Sequence, residues 1–393
     1  MSAHSARLIE FAPGEIVCRQ GARADRAFVL RAGALRSTVL PERELPADDK
    51  RMAAAPATAQ HAQAGVLLGC EGVLAGHYVD TLVADQPATL VEMPLDTPGV
   101  MSAIAEDVAF GLGLARSLAR RLVAANRKLN GAQRLAGRFT RELQGLCTDY
   151  YNLVQNLGDE SAGNDALIQA LNIAKRSETH ALGEAGGAEA VRQTRRIMAK
   201  AVESSDLVGT RVHLKEGDLL CRRGDAGDTV YVLVSGRLSV RIGAEQFGVI
   251  RPGEIVGEIG ALLGDEEPRR VADVVADESC VVGAIPVSRF PALVQKQPKL
   301  LVNLCKLLTL RVKSFEQLAV ESKGALDAVA EKYAPVRAPF TADAGVLRRS
   351  LEALIAEQSL SLQADVALLA ALEERWQQKV TELQARVEGG RKT

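Results

Sequence analysis

Hydrophobic positions along the chain follow two periods, and each period is used twice. In the second half, short runs rich in Val, Leu, Ile and Tyr alternate with glycines: VHLKEGDLLCRRG, DTVYVLVSGRLSVRI, QFGVIRPGEIVGE and RRVADVVADESCVVGAIP. Such runs, about five residues long between glycine turns, predict the strands of a barrel or sandwich. The period then changes. Within 293–323, Leu301, Leu304, Leu308 and Val312 recur every three or four residues, which predicts an amphipathic helix. Residues 103–129 behave the same way after a first glycine-punctuated stretch. Between the two units, roughly 130–205 is polar and helix-like, with breaks predicted at GDESAGND (158–165) and GEAGGAEA (183–190). Pro335 and Pro339 are expected to end any helix that follows the second unit. One last helix is predicted over about 343–388. Its Leu362, Val366, Leu369, Trp376, Val380, Leu383 and Val387 follow 4-3 spacing, interrupted at Glu373. Two destinations fit that seam: a coiled coil with a second copy, or the chain's own core.

The two units are copies. GEIVCRQGARADRAFVLRAGAL (14–35) and GDLLCRRGDAGDTVYVLVSGRL (217–238) share nine of 22 positions at an offset of 203, including Gly14, Cys18, Gly21, Asp25 and Gly33. Further on the offset is 190, with Leu114, Leu118 and Arg121 against Leu304, Leu308 and Arg311. Extra residues therefore lie inside the first copy. They fall in the Ala-, Pro- and charge-rich stretch 41–65, which reads as an extended loop. The expected fold class is α+β: two jelly-roll-like β-rolls with flanking helices, a helical linker and a C-terminal helix. The expected segments are 1–125, 126–207, 208–325 and 326–393.

Composition narrows the function. Over 393 residues, 48 basic side chains face 49 acidic ones. Net charge near zero argues against a protein that coats nucleic acid or anionic membrane. No apolar run approaches the ~18 residues that cross a bilayer. The N-terminus has no apolar h-region, so no signal peptide is evident. Six cysteines lack CxxC spacing, which fits buried thiols in a reducing, cytoplasmic compartment and no metal site. No nucleophile or metal motif appears, so no catalytic residues and no cofactor are expected.

One stretch carries chemistry. In VGEIGALLGDEEPRRVADVV, Gly257-Glu258-Ile259-Gly260 opens a short helical run, and Arg269 and Arg270 precede Val271, Ala272 and Asp273. Backbone N–H groups at a helix start are ready donors for a phosphate. Gly257 and Gly260 let the backbone approach closely. An arginine offers two parallel donors in a fixed fork. This arrangement resembles the phosphate-binding cassette of the cyclic nucleotide-binding domain family. The resemblance covers about 208–325 well and about 8–125 weakly.

The resemblance implies that Glu258 accepts from a ribose 2′-hydroxyl, that Arg270 or Arg269 holds the phosphate, and that Val271 and Ala272 lie beside the sugar-phosphate. Asp273 departs from the family's Thr or Ser, and a carboxylate there would repel the anion unless it points away or pairs with Arg269. Val271 lacks the hydroxyl that cGMP-selective members carry, which tilts the expected ligand toward cAMP. In the first copy, Tyr78 stands opposite Arg270, and no Arg or Lys lies between residues 52 and 115. An uncompensated phosphate would be costly there, so the first unit reads as degenerate.

No helix-turn-helix unit follows the second copy. The expectation is a cyclic nucleotide sensor, cAMP before cGMP, that signals by helix rearrangement to a protein partner, with neither nucleic acid nor membrane as target. The alternative is a scaffold built on rolls that no longer bind.

Overall fold

The computed structural model describes every residue except 1–5, 161–163, 204–209, 243–244, 265–268, 271, 322–323, 338, 357–361 and 392–393. The first roll comprises β1 (Arg7–Phe11), β2 (Ile16–Cys18), β3 (Arg26–Ala32), β4 (Leu35–Thr38), β5 (Ala57–His61), β6 (Leu67–Leu68), β7 (Thr81–Ala84) and β8 (Ala88–Pro94). It also carries α1 (Asp49–Ala54) and α2 (Cys70–Ala75), and is followed by α3 (Thr97–Glu106) and α4 (Val108–Lys128). Four helices come next: α5 (Gly131–Glu160), α6 (Asp165–Lys175), α7 (Glu178–Ala185) and α8 (Ala188–Glu203).

The second roll has β9 (Arg211–Leu214), β10 (Leu219–Cys221), β11 (Thr229–Ser235), β12 (Leu238–Ile242), β13 (Glu245–Ile250), β14 (Ile255–Val256), α9 (Glu258–Leu263), β15 (Asp273–Ala276) and β16 (Cys280–Pro286). Helices α10 (Phe290–Lys296), α11 (Pro298–Val320), α12 (Ala325–Lys332), α13 (Ala334–Arg337), α14 (Pro339–Ala356) and α15 (Gln363–Arg391) complete the chain.

The copies share one topology. The first roll's sheets run β1-β8-β3-β6 and β2-β7-β4-β5; the second's run β9-β16-β11-β14 and β10-β15-β12-β13. Register agrees too, with Leu35 opposite Ala84 and Leu238 opposite Ala276. The stretch 41–65 is not the extended loop expected. It holds a 3-10 turn, α1 and β5, and β5 is the counterpart of β13. Asp48 caps α1 by accepting from the Arg51 N–H. The insert clasps the second unit: the Glu42 N–H donates to Gln317 Oε1 at 3.1 Å, and Arg43 pairs with Glu321 at 2.8 Å.

One hydrophobic core runs through the first roll, α4, α11 and the facing part of the second roll. The leucines read from the sequence supply it: Leu114, Leu118, Leu301, Leu304 and Leu308 are buried. A separate core fills a helical domain built from α5, α6 and α12–α15. Segments 126–207 and 326–393, read separately in the sequence, thus share one core. At its centre Trp376 stacks on Phe340, with ring centroids 4.3 Å apart and planes 3° apart.

The single helix expected over 343–388 is two helices, α14 and α15. Of the two destinations open to its seam, the structure shows packing within the chain: Leu362, Leu369, Trp376, Val380 and Leu383 are buried in this core. Pro335 and Pro339 sit in the first turns of α13 and α14, where the missing N–H costs little. No described helix alone is long and apolar enough to cross a membrane.

Candidate functional site

The cassette forms at the β14–α9 junction. Gly257 takes φ 86° as the residue before α9, a conformation that favours glycine. A Cβ there would collide with Arg270 Nη1 and lie 2.9 Å from the Thr229 carbonyl oxygen. The glycine therefore lets the arginine pass beneath the helix start. Glu258 opens α9 and is buried, while Ile259 packs on the shared core beside Gly260.

Arg270 is 8% exposed. Its Nη2 donates to the Thr229 carbonyl, its guanidinium carbon lies 5.5 Å from the centre of the Tyr231 ring, and its buried Nε has no partner among the described residues. A buried donor without an acceptor is costly; Nη1 of the same guanidinium lies beneath Gly257 at the start of α9. The neighbouring Arg269 is exposed and donates to the Gly224 carbonyl at 2.8 Å. The structure thus separates the two arginines that the sequence left open. Ala272 is buried beside Arg270, and Val271 lies outside the described residues. Asp273 points away: its Oδ1 accepts from the Arg223 N–H at 2.7 Å, which removes the repulsion its identity raised.

Glu258 does not pair with Arg270. Its Oε1 accepts from Arg311 Nη1 of α11 at 2.6 Å. The sequence reading missed Arg311 as a site residue. The signal was the second offset, which placed Arg121 and Arg311 at equivalent helix positions.

The first roll keeps the frame and changes the contents. The Gly21 N–H donates to the Tyr78 carbonyl at 2.8 Å, as Gly224 does to Arg270 at 2.8 Å. The Tyr78 hydroxyl donates to the Arg26 carbonyl at 2.9 Å, the equivalent of the Thr229 carbonyl that Arg270 binds. Tyr78 therefore takes over the arginine's scaffolding bond. Phe28, the counterpart of Tyr231, lies 6.5 Å from it, centre to centre. Cys70 occupies the position of Glu258, directly after the left-handed glycine.

A cation does reach this pocket, from outside the 52–115 window. Arg121 of α4 binds Glu71, Asp80 at 3.0 Å and Glu316 of α11 at 2.8 Å. All four side chains are at most 12% exposed. Burial pushes the Glu71 carboxyl up, against the pull of Arg121, and Asp80 and Glu316 push it further. Burial raises Glu316 as well, again opposed by Arg121.

Elsewhere, a cleft of about 730 Å³ separates β12 and β13 from α5 and α15, lined by Asp149, Arg237, Arg251 and Arg375 among others. It lies apart from the cassette. Among the described residues, no cluster of His, Cys, Asp and Glu could hold a metal ion.

The cyclic nucleotide-binding domain family model matches residues 211–297. The chain is 37% identical over 73 residues to a cGMP-dependent protein kinase of Toxoplasma gondii, covering 19% of this chain and 7% of that one. It is 30% identical over 98 residues to the cAMP-activated global transcriptional regulator CRP of Salmonella typhimurium, covering 24% and 46%. The chain thus spans less than half the length of these curated relatives. Among solved structures, cAMP-bound PfPKA-R (141–441) is similar at 14% identity and a TM-score of 0.25, with 74% of each chain covered. The regulatory domain of Toxoplasma gondii PKA with cAMP gives 15% identity and a TM-score of 0.21, with 75% of this chain and 84% of that one covered. Residues 211–297 of this chain belong to the cyclic nucleotide-binding domain family.

Proposed function

We propose that the second roll binds a cyclic nucleoside monophosphate and that the chain is a sensor of it. The observation that carries this reading is Arg270, over nine-tenths buried beneath Gly257, with no partner for Nε among the described residues. The phosphate would accept from Arg270 and from the N–H groups at the start of α9. The ribose hydroxyl would donate to Glu258, whose carboxylate Arg311 already orients.

The ligand is cAMP rather than cGMP, because neither Val271 nor Ala272 offers a hydroxyl to a guanine ligand. The output is a protein partner reached through helices. A ligand at Glu258 acts on Arg311, and α11 packs on α4 and α8. The first roll binds no nucleotide and serves as a structural platform. The six unpaired thiols suit a cytoplasmic setting. No catalytic role is assigned.

Calorimetry on the full chain with cAMP and with cGMP tests the reading. Saturable binding that Arg270→Ala weakens at least 100-fold supports it. No binding of either nucleotide at millimolar concentration, by the wild type and by variants that enlarge the pocket alike, would sink it.

A further inference from the structure

The mouth of the second roll has an occupant of its own. Gly248 on β13 pairs with Val240, and two residues away Ile250 pairs with Leu238. Directly opposed residues in an antiparallel pair share a face. Leu238 and Ile250 lie in the roll's core, and Val240 packs against it. The Cβ direction of Gly248 therefore points to the inside of the roll. What it meets is Arg141 of α5, whose Nε lies 3.2 Å from where a Cβ would be. The absent side chain makes the room.

Arg141 also lies over Phe315, 5.3 Å from the ring centre. Phe315 is one helical turn beyond Arg311, the residue that holds Glu258 of the cassette. One guanidinium thus stands between the inner face of β13 and the Phe315 ring of α11, near Arg311, the partner of Glu258. Among the described residues Arg141 makes no hydrogen bond or ion pair. Desolvation and the nearby Arg311 charge pull it down to about 10, only partly offset by Glu142. An unpaired cation in a partly closed site is unfavourable and is poised to leave.

Resting on the nucleotide reading above, we propose that Arg141 is a built-in competitor for the ligand. Its flat guanidinium fills the space beside Phe315 and Gly248 that the ligand's planar base needs. Binding must swing Arg141 out. Because Leu143, Leu146 and Cys147 of the same helix lie in the helical domain's core, displacement is felt there. Apparent affinity is then reduced by the fraction of molecules whose pocket is open.

The test is calorimetry with cAMP and cGMP on full-length wild type, Arg141→Ala, Arg141→Met and Arg270→Ala, with thermal melting to confirm folding. Arg141→Met keeps the aliphatic stem and serves if the alanine variant fails to fold. The expected result is about tenfold tighter binding by Arg141→Ala and a smaller gain for Arg141→Met. Binding by Arg141→Ala where wild type shows none supports the proposal equally. Unchanged or weaker binding by both Arg141 variants, with wild-type binding intact and lost in Arg270→Ala, overturns the competitor alone. If neither wild type nor the Arg141 variants bind, the nucleotide reading falls and the competitor with it.

Discussion

The two rolls share strand order, register and even the carbonyl that anchors the key side chain, yet their pockets hold opposite contents. In the second, Arg270 binds the Thr229 carbonyl, and its buried Nε has no partner among the described residues. In the first, Tyr78 makes the equivalent bond through its hydroxyl and offers no charge. Asp80 takes the place of Ala272, and the space is closed by Arg121 with three carboxylates. The anchoring bond is what the fold needs, and either residue supplies it. A spare cation is what the proposed anionic ligand needs, and among the described residues the second roll alone supplies one. Function thus lies in a few side chains on a common frame.

The largest contrast is energetic. Among the described residues, Arg121 is the sole cation bonded to Glu71, Asp80 and Glu316, all buried. Arg121→Ala strands them and should destabilise the protein by about 3–5 kcal/mol. Arg311→Ala should cost only about 1 kcal/mol, because Arg311 is 38% exposed and water screens its pair with Glu258. Urea denaturation of both variants checks the ratio. Equal losses would mean that the first pocket is no more an ionic joint than the second.

Arg270→Tyr sharpens the same comparison by writing the first pocket's choice into the second. The tyrosine hydroxyl can reach the Thr229 carbonyl as Tyr78 reaches Arg26, so the melting temperature should move by a few degrees at most. Nucleotide affinity should fall at least 100-fold, about 2.7 kcal/mol. A variant that melts far lower would show that Arg270 is structural first.

Much of this contrast was legible in the sequence, because the nine matched positions hold the turns and strand faces that both rolls must keep. The substitution of Tyr78 for Arg270 followed from alignment alone. The choice between Arg269 and Arg270 did not, since neighbours in extended chain face opposite sides and the sequence does not say which faces in. Arg121 was hidden by distance, lying 50 residues from Glu71 and 195 from Glu316. The helical domain was hidden for the same reason: Thr179 bonds Asp343 across 164 residues, and Arg138 bonds Glu382 across 244. Periodicity marked the buried face of α15 but not what would bury it. The insert misled because Ala and Pro suggest a loop, whereas Asp48 caps a helix inside it.

The smallest expected effect concerns protons. Three carboxylates around one guanidinium leave an excess of negative charge that burial makes costly. Glu71 and Glu316 are both raised above the ordinary carboxyl value of 4.5, burial being the main cause. The folded state then holds a proton more tightly than the unfolded chain. This contribution to stability is complete below about 4.5 and is lost as pH rises through the raised folded values. Glu71→Gln removes one charge and still offers Arg121 an oxygen. Its stability should match wild type near pH 4 and exceed it by about 1 kcal/mol at pH 8, because Arg121 keeps Asp80 and Glu316 as partners while the surplus buried charge is gone. Because the acids titrate as a group, Glu316 should also fall toward its ordinary range in this variant. Melting curves from pH 4 to 8 decide the matter, and a gap that shrinks with rising pH would show that the first pocket carries no excess charge.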